Sequence, residues 1–284
     1  MASALTVSFD PQAVDFDLRA GLPSGVARRI AAAVAELAPA PSGMVLDLGA
    51  GTGQIGQHLA GMSGAHGRSR YLGLDVSGPM LAVFRRKLGP GAAGARGGLL
   101  RADAAVGWPI ASGRVDLVFL SRAAHLLPLA VLVEETLRVA SPEGALAVFG
   151  GVRSRPESLR VVLRREMRRL LAEQGIEGRS AGEAQRRIAG ALAARGGEVL
   201  PVRTAASWGV VERAGDVLAA WRAKSGLGGR PVTPEVQDGV LRRLEDWVRE
   251  RYGSLDATRD AIECYDLAAV RLPKRTGKDM GANG

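Results

Sequence analysis

Cysteine is almost absent from this chain: Cys264 is the only one in 284 residues. That excludes a disulfide scaffold, a Cys-rich zinc site and a redox pair, and it suits a reducing compartment. Aromatic residues are scarce at 4%, which leaves few platforms for stacking nucleobases. Long apolar runs are missing too. Leu126 to Val133 and Ala145 to Gly151 fall far short of the roughly 20 residues that cross a bilayer. No basic n-region opens the sequence, and Asp10, Asp15 and Asp17 interrupt its first segment, so the expectation is a cytoplasmic protein without a secretory signal or membrane anchor. Lysine is rare, with 4 residues against 34 arginines in a net charge of +9. Together with abundant Ala and 38 Gly, that skew looks like the residue usage of a GC-rich genome, and the charge alone does not argue for a polyanionic partner.

What is present is an alternation of short apolar runs and helical patterns between residues 44 and 150. This predicts an α/β fold built on a parallel sheet. The strand candidates are Met44 to Leu48, Tyr71 to Leu74, Leu99 to Ala102, Val115 to Leu120 and Ala145 to Phe149. Each is nearly continuous in apolar residues, as strands covered on both faces require. The first three end at Asp47, Asp75 and Asp103, spaced by 28 residues, the length of a strand and its crossover. The three carboxylates are therefore expected along the carboxyl edge of the sheet, where open α/β folds bind ligands. Upstream, Val26, Ile30, Val34 and Leu37 form a helical stripe. Downstream, helices are predicted over Glu157 to Gln174, Ala181 to Ala194, Ala214 to Ser225 and Pro234 to Tyr252, with strands over Glu198 to Val211 and Ala261 to Leu272. The expected organisation is an N-terminal segment with cap helices (1–40), a cofactor-binding core (41–152), a C-terminal part with a helical insertion that completes the sheet (153–272), and a disordered tail (273–284).

The densest motif is Val45-Leu46-Asp47-Leu48-Gly49-Ala50-Gly51-Thr52-Gly53, a strand running into a glycine turn that opens a helix. Alternating glycines let backbone approach a ligand and adopt conformations closed to other residues. In a glycine-rich chain the spacing is weak by itself, and its context carries the argument. Asp75, 24 residues after Gly51 and at the end of the next strand, is placed to accept the hydroxyls of a ribose. Two alternatives share these residues. Gly51 to Gly56 formally satisfies the GxGxxG of NAD(P)-dependent oxidoreductases; against it, Gly49 closes the strand and Asp47 would repel a pyrophosphate. A non-catalytic nucleotide-binding module is the other.

These features resemble the class I S-adenosylmethionine-dependent methyltransferases, of the type 11/25 kind. The resemblance rests on Val45 to Gly53, Leu74 to Leu81, Arg101 to Ala104, Asp116 to Ser121 and Ser141 to Phe149. It implies a doubly wound, mainly parallel seven-stranded sheet with N-terminal cap helices and a C-terminal helical insertion. It also implies S-adenosylmethionine as cofactor. Gly49, Ala50, Gly51 and Gly53 would hold the methionine part, and Asp47 would orient its amino group. Asp75 would bind the ribose, with Val76 and Met80 against the adenine. Asp103 and the Ala104 amide would meet the adenine edge, and the Ser121 backbone would lie near the methionine end.

Methyl transfer from a sulfonium is an in-line displacement in which positioning is the main service. For a hydroxyl acceptor, His125, just past the fourth strand, is the candidate base. His58 and His66 read as structural or solvated. Metal-ligand spacing is absent, so no metal is expected. The expected partner is a small-molecule acceptor, with no membrane and no nucleic acid, for a monomer or homodimer. The rival is an RNA or protein methyltransferase that uses the basic face of residues 157–174, namely Arg160, Arg164, Arg165, Arg168 and Arg169. Trp208 is the candidate pocket wall among the C-terminal aromatics.

Overall fold

The computed structural model of the chain describes residues 10–38, 43–65, 70–89, 97–178, 182–224 and 226–274. His66 and most of the expected tail lie outside them. In chain order the elements are α1 (Phe16–Ala20), α2 (Val26–Leu37), β1 (Met44–Leu48), α3 (Gly56–Ala65), β2 (Arg70–Asp75), α4 (Gly78–Leu88), β3 (Gly97–Arg101) and β4 (Leu117–Ser121). They continue with α5 (Leu129–Val139), β5 (Leu146–Ser154), α6 (Leu159–Ala172), α7 (Glu183–Ala193), β6 (Glu198–Val199), β7 (Arg203–Arg213), α8 (Ala214–Arg222), α9 (Pro234–Tyr252) and β8 (Thr258–Arg271).

The strands join in the order β3-β2-β1-β4-β5-β8-β6, with β7 also paired to β8. The first five run parallel, and β6 meets β8 antiparallel. The sheet is thus mixed but mostly parallel, with helices on both sides. The order reverses between β1 and β4, so the chain builds outward in one direction through β3 and then in the other. At such a switch point the loops leaving adjacent strands diverge and open a crevice at their carboxyl ends. The sheet has eight strands rather than the seven expected, because the segment read as one strand from Glu198 to Val211 is two. Pro201 has no amide to donate to a ladder, and pairing lapses between β6 and β7.

By contacts the chain divides into two units. The first comprises residues 1–151, 184–206 and 265–284. Its core gathers Leu46 and Leu48 of β1, Leu74 of β2, Val118 and Leu120 of β4 and Phe149 of β5, together with Ile188 and Leu192 of α7. The continuous apolar runs of β1 and β4 are buried almost throughout, as coverage on both faces demands.

The second unit comprises residues 152–183 and 207–264. Here α6, α8 and α9 bury Leu159, Leu163, Met167 and Leu170 with Val217, Leu218, Trp221, Leu241, Leu244 and Val248. Side-chain oxygens start two of these helices: Ser158 Oγ accepts from Val161 N at 3.3 Å and Thr233 Oγ1 from Val236 N at 3.4 Å. Each satisfies an amide that has no partner within its helix. Gly253, in the left-handed region at φ 81°, ends α9.

Candidate active site

β1 delivers Asp47 and the glycine turn to the switch point. Leu74 O accepts from both Gly49 N at 2.8 Å and Ala50 N at 3.1 Å, which ties the turn to the end of β2. Gly49, Gly51 and Gly53 all have positive φ, at 67°, 55° and 73°. Their surroundings differ. A β-carbon on Gly51 would meet nothing nearer than Gly49 O at 3.9 Å, whereas one on Gly53 would lie 2.1 Å from the Phe84 ring. Gly51 therefore keeps a cradle open, and Gly53 admits the packing of α4.

Asp75 closes the turn from the far side. Its Oδ2 accepts from Gly51 N and its Oδ1 from Ser77 N, both at 2.8 Å. A carboxylate offers about four acceptor positions, so each oxygen retains one for a ribose hydroxyl. Burial raises its pKa, and the two backbone amides oppose that rise. Beside it Val76 is 44% exposed, while Met80 is buried in the first turn of α4.

Asp47 is enclosed, at 3% exposure. Tyr71 donates its hydroxyl to Asp47 Oδ2 at 2.7 Å, and Oδ1 has no hydrogen-bond partner. The geometry follows from register. Asp47 pairs with Gly73 and Val45 with Tyr71, so the side chains of residues 45, 47 and 71 share a face. Gly73 has no side chain to block the Tyr71 ring on its way to Asp47. Burial pushes the Asp47 carboxyl up to about 7, with a further rise from the Asp75 charge and an opposing pull from Tyr71. Burial, reinforced by the Asp47 charge, likewise holds the Tyr71 phenol well above its ordinary value.

At the end of β3, Asp103 Oδ1 accepts from Ala105 N at 2.8 Å, and this local turn fixes the following amide. Ala104 is buried, and its carbonyl accepts from Trp108 Nε1 at 3.1 Å. Trp108 had no sequence signal beyond its size. Ser121 lies at the end of β4, its Oγ 2.6 Å from the Tyr265 hydroxyl. The exposed His125 follows in a single turn, Ala124–Leu126, beyond the same strand. Among the described residues no cluster of His, Cys, Asp and Glu able to hold a metal forms.

The N-terminal segment is bound directly to this edge. Asp17 Oδ1 accepts from Thr52 Oγ1 and from Gln54 Nε2, each at 2.6 Å. Its other oxygen pairs with Lys87, and Asp10 accepts from Ser77 Oγ at 2.5 Å. Arg122, at φ 59°, donates to Ala20 O at 2.6 Å and stacks over the Phe16 ring at 6.0 Å. It therefore anchors the N-terminal segment. None of these contacts is visible in sequence, since each joins residues dozens of positions apart through side chains with no diagnostic spacing.

Residues 45–144 match the family model described as a methyltransferase domain. No curated protein matches the chain. Among solved structures, a Bacillus halodurans protein assigned as a methyltransferase is 16% identical at a TM-score of 0.52 and covers 87% of this chain and 99% of its own. The YcgJ protein of Bacillus subtilis is 15% identical at 0.51, with the same coverage. An S-adenosylmethionine-dependent methyltransferase of Aquifex aeolicus is 20% identical at 0.48, over 69% of this chain and 93% of its own.

S-adenosylmethionine, the cofactor this family implies, fits the residues present. Asp47 Oδ1 is an unsatisfied acceptor of the charge needed by an ammonium, Gly51 leaves room for close backbone approach, and Asp75 keeps acceptor capacity for a diol. Bound there, the cofactor supplies a methyl group activated by its sulfonium. Residues 45–144 thus match a methyltransferase domain, and the chain shares the fold of the similar methyltransferase structures.

Proposed function

We propose that this protein transfers the methyl group of S-adenosylmethionine to a small-molecule acceptor. The observation that carries the reading is the orphaned Asp47 Oδ1. A buried carboxylate oxygen without a partner is costly, and the ammonium of a methionine moiety compensates it. The site residues of this reading are Asp47, Gly49, Ala50, Gly51, Gly53, Asp75, Val76, Met80, Asp103, Ala104 and Ser121. The small-molecule class is supported by the small share of aromatic residues, 4% of the chain, and by a helical region, within residues 153–272, suited to selecting an acceptor. The lone buried thiol of Cys264 agrees with a cytoplasmic location.

His125 is the proposed base for a hydroxyl acceptor. It is exposed beyond β4, where it can exchange a proton with solvent between turnovers.

Titration calorimetry with S-adenosylhomocysteine, followed by a screen of metabolite extracts for transfer of a labelled methyl group, tests the proposal. Micromolar binding and labelling of a low-molecular-weight product are expected. Tight NADH binding with no response to S-adenosylhomocysteine would overturn the cofactor reading, and labelled RNA or protein in place of a metabolite would overturn the acceptor class. Once an acceptor is known, His125→Ala should lower kcat and leave donor affinity nearly unchanged. An unchanged rate removes His125 from the mechanism.

A further inference from the structure

Residues 10–22 are held to the carboxyl edge of the first unit's sheet at three points. Asp10 accepts from Ser77 Oγ at 2.5 Å, just past β2. Asp17 accepts from Thr52 Oγ1 and from Gln54 Nε2, each at 2.6 Å, in the turn after β1. Ala20 O accepts from Arg122 Nη1 at 2.6 Å, just past β4. Strands β2, β1 and β4 are neighbours in that same order, so the segment crosses the crevice from the side of Asp75 to the side of Ser121. Each anchor also adjoins a residue of the donor site. Ser77 N donates to Asp75 Oδ1 at 2.8 Å, Thr52 stands between Gly51 and Gly53, and Arg122 follows Ser121.

The third anchor is strained. Arg122 has φ 59°, a left-handed conformation that glycine takes freely and a residue with a β-carbon resists. Its guanidinium makes the contacts that compensate. Besides Ala20 O, its Nη2 lies 3.4 Å from Gln54 Oε1, and its Cζ stands 6.0 Å from the centre of the Phe16 ring. Gln54 in turn commits both ends of its amide to the segment, donating to Asp17 and accepting from Leu22 N at 3.2 Å. One arginine and one glutamine thus grip Phe16, Asp17, Ala20 and Leu22. Apolar burial adds little, since Ala13 is buried but Val14 and Leu18 are 82% and 88% exposed. A segment held mainly by polar contacts opens far more readily than the core beneath it.

We propose that residues 10–22 form a strap that retains the bound methyl donor, with Arg122 and Gln54 as the positioning residues that hold it shut. This rests on the reading of Asp47, the glycine turn and Asp75 as the donor site. A donor seated on those residues lies beneath the strap, so the strap must open for the donor to enter and for the demethylated product to leave. The polar ends of Arg122 and Gln54 pair with the strap rather than with the donor. Their loss should therefore appear chiefly in the rate of dissociation. The clasp also accounts for an arginine where the backbone favours glycine, because strain of this kind persists only where surrounding contacts hold it.

Displacement of radiolabelled S-adenosylhomocysteine from the full chain by an unlabelled excess tests this. Arg122→Gly, which removes the clasp and relieves the backbone strain together, should speed dissociation by roughly tenfold. Arg122→Lys keeps the charge but loses the fork, and should give a smaller increase. Arg114→Gln, at an exposed residue before β4, should leave the rate unchanged. Tryptic cleavage after the exposed Arg19 gives a second reading, expected to slow with saturating S-adenosylhomocysteine in the wild type and to slow much less in Arg122→Gly. A residue that only supports the fold would lower the melting temperature without moving either reading. If Arg122→Gly loses the wild-type melting transition, Gln54→Ala carries the same expectations. Wild-type binding of S-adenosylhomocysteine with an unchanged dissociation rate in Arg122→Gly overturns the strap alone. Failure of the wild-type chain to bind S-adenosylhomocysteine overturns the donor reading and the strap with it.

Discussion

Tyr71 donates its hydroxyl to Asp47 Oδ2 at 2.7 Å, which commits one oxygen of an enclosed carboxylate to the fold and leaves the other unpaired. The pair commits one oxygen to the fold and, in the proposed function, leaves the other for the cofactor's ammonium. Its pH dependence follows. Unfolded, the carboxyl titrates near its ordinary 3.8, and folded, at about 7. Between those values the unfolded chain has released a proton that the folded chain keeps, so stability falls as pH rises through the window and levels off above it. Urea unfolding from pH 4 to pH 8 should show this slope, and Asp47→Asn should flatten it while weakening affinity for S-adenosylhomocysteine. An ammonium beside Asp47 favours the ionised form, so binding near pH 6 should release protons, seen as heats that depend on the buffer.

Asp75 holds Gly51 N and Ser77 N and, in the proposed function, also accepts from a ribose. Removing charge-assisted hydrogen bonds costs about 1.5–3 kcal/mol each. Asp75→Ala should therefore lower both S-adenosylhomocysteine affinity and the melting temperature. Asp75→Asn, which keeps an acceptor for one amide, should lose less of each. Calorimetry and thermal melts on the two variants separate the contributions.

The two glycines of the turn should fail differently when changed to alanine. At Gly53 the new methyl group would enter the Phe84 ring and force the core to shift, which costs on the order of 1–3 kcal/mol in addition to the strain of a positive φ. At Gly51 it would project into open space, so stability falls by only about 1 kcal/mol while donor binding is lost. Chemical denaturation and donor titration of the two variants should give these opposite profiles.

Gly150 faces Tyr265 so closely that a β-carbon would lie 2.3 Å from the phenolic oxygen, which itself sits 2.6 Å from Ser121 Oγ. Gly150→Ala should destabilise the first unit by roughly 1–3 kcal/mol. Tyr265→Phe should cost about 1 kcal/mol, through loss of the Ser121 bond. Both are read from unfolding midpoints.

Asp17 should govern the order of the N-terminal segment. Burial raises its pKa, but hydrogen bonds from Lys87, Thr52 and Gln54 outweigh that effect and hold it below 3.8. Its contribution is therefore present above pH 3.8 and lost as pH falls below that value. Asp17→Ala should speed proteolytic cleavage before residue 38 at neutral pH, with little change in global unfolding.

The parallel core was legible because buried strands must be continuously apolar and because each crossover has a minimum length. Those local rules place Asp47, Asp75 and Asp103 at one edge, together with the glycine turn that leaves β1. The helices of the second unit were legible from their apolar periodicity, with bounds shifted by up to three residues at their ends. Pro234 starts α9 at the expected residue, whereas Pro201 breaks the segment expected as one strand over Glu198 to Val211.

By itself, then, the sequence determined which residues could form strands and helices and which carboxylates would end the strands, since these depend on neighbours a few positions away. Only the tertiary structure decided how those carboxylates are used. Tyr71 reaches Asp47 across 24 residues, Asp17 reaches Thr52 across 35, and Tyr265 reaches Ser121 across 144. Side-chain partners over such separations are set by strand register and packing, which no local pattern encodes. The same reason explains the arginines of α6. Their spacing showed a basic face, but the packing of the second unit decided that Arg169 would be paired in solvent and Arg164 half-buried.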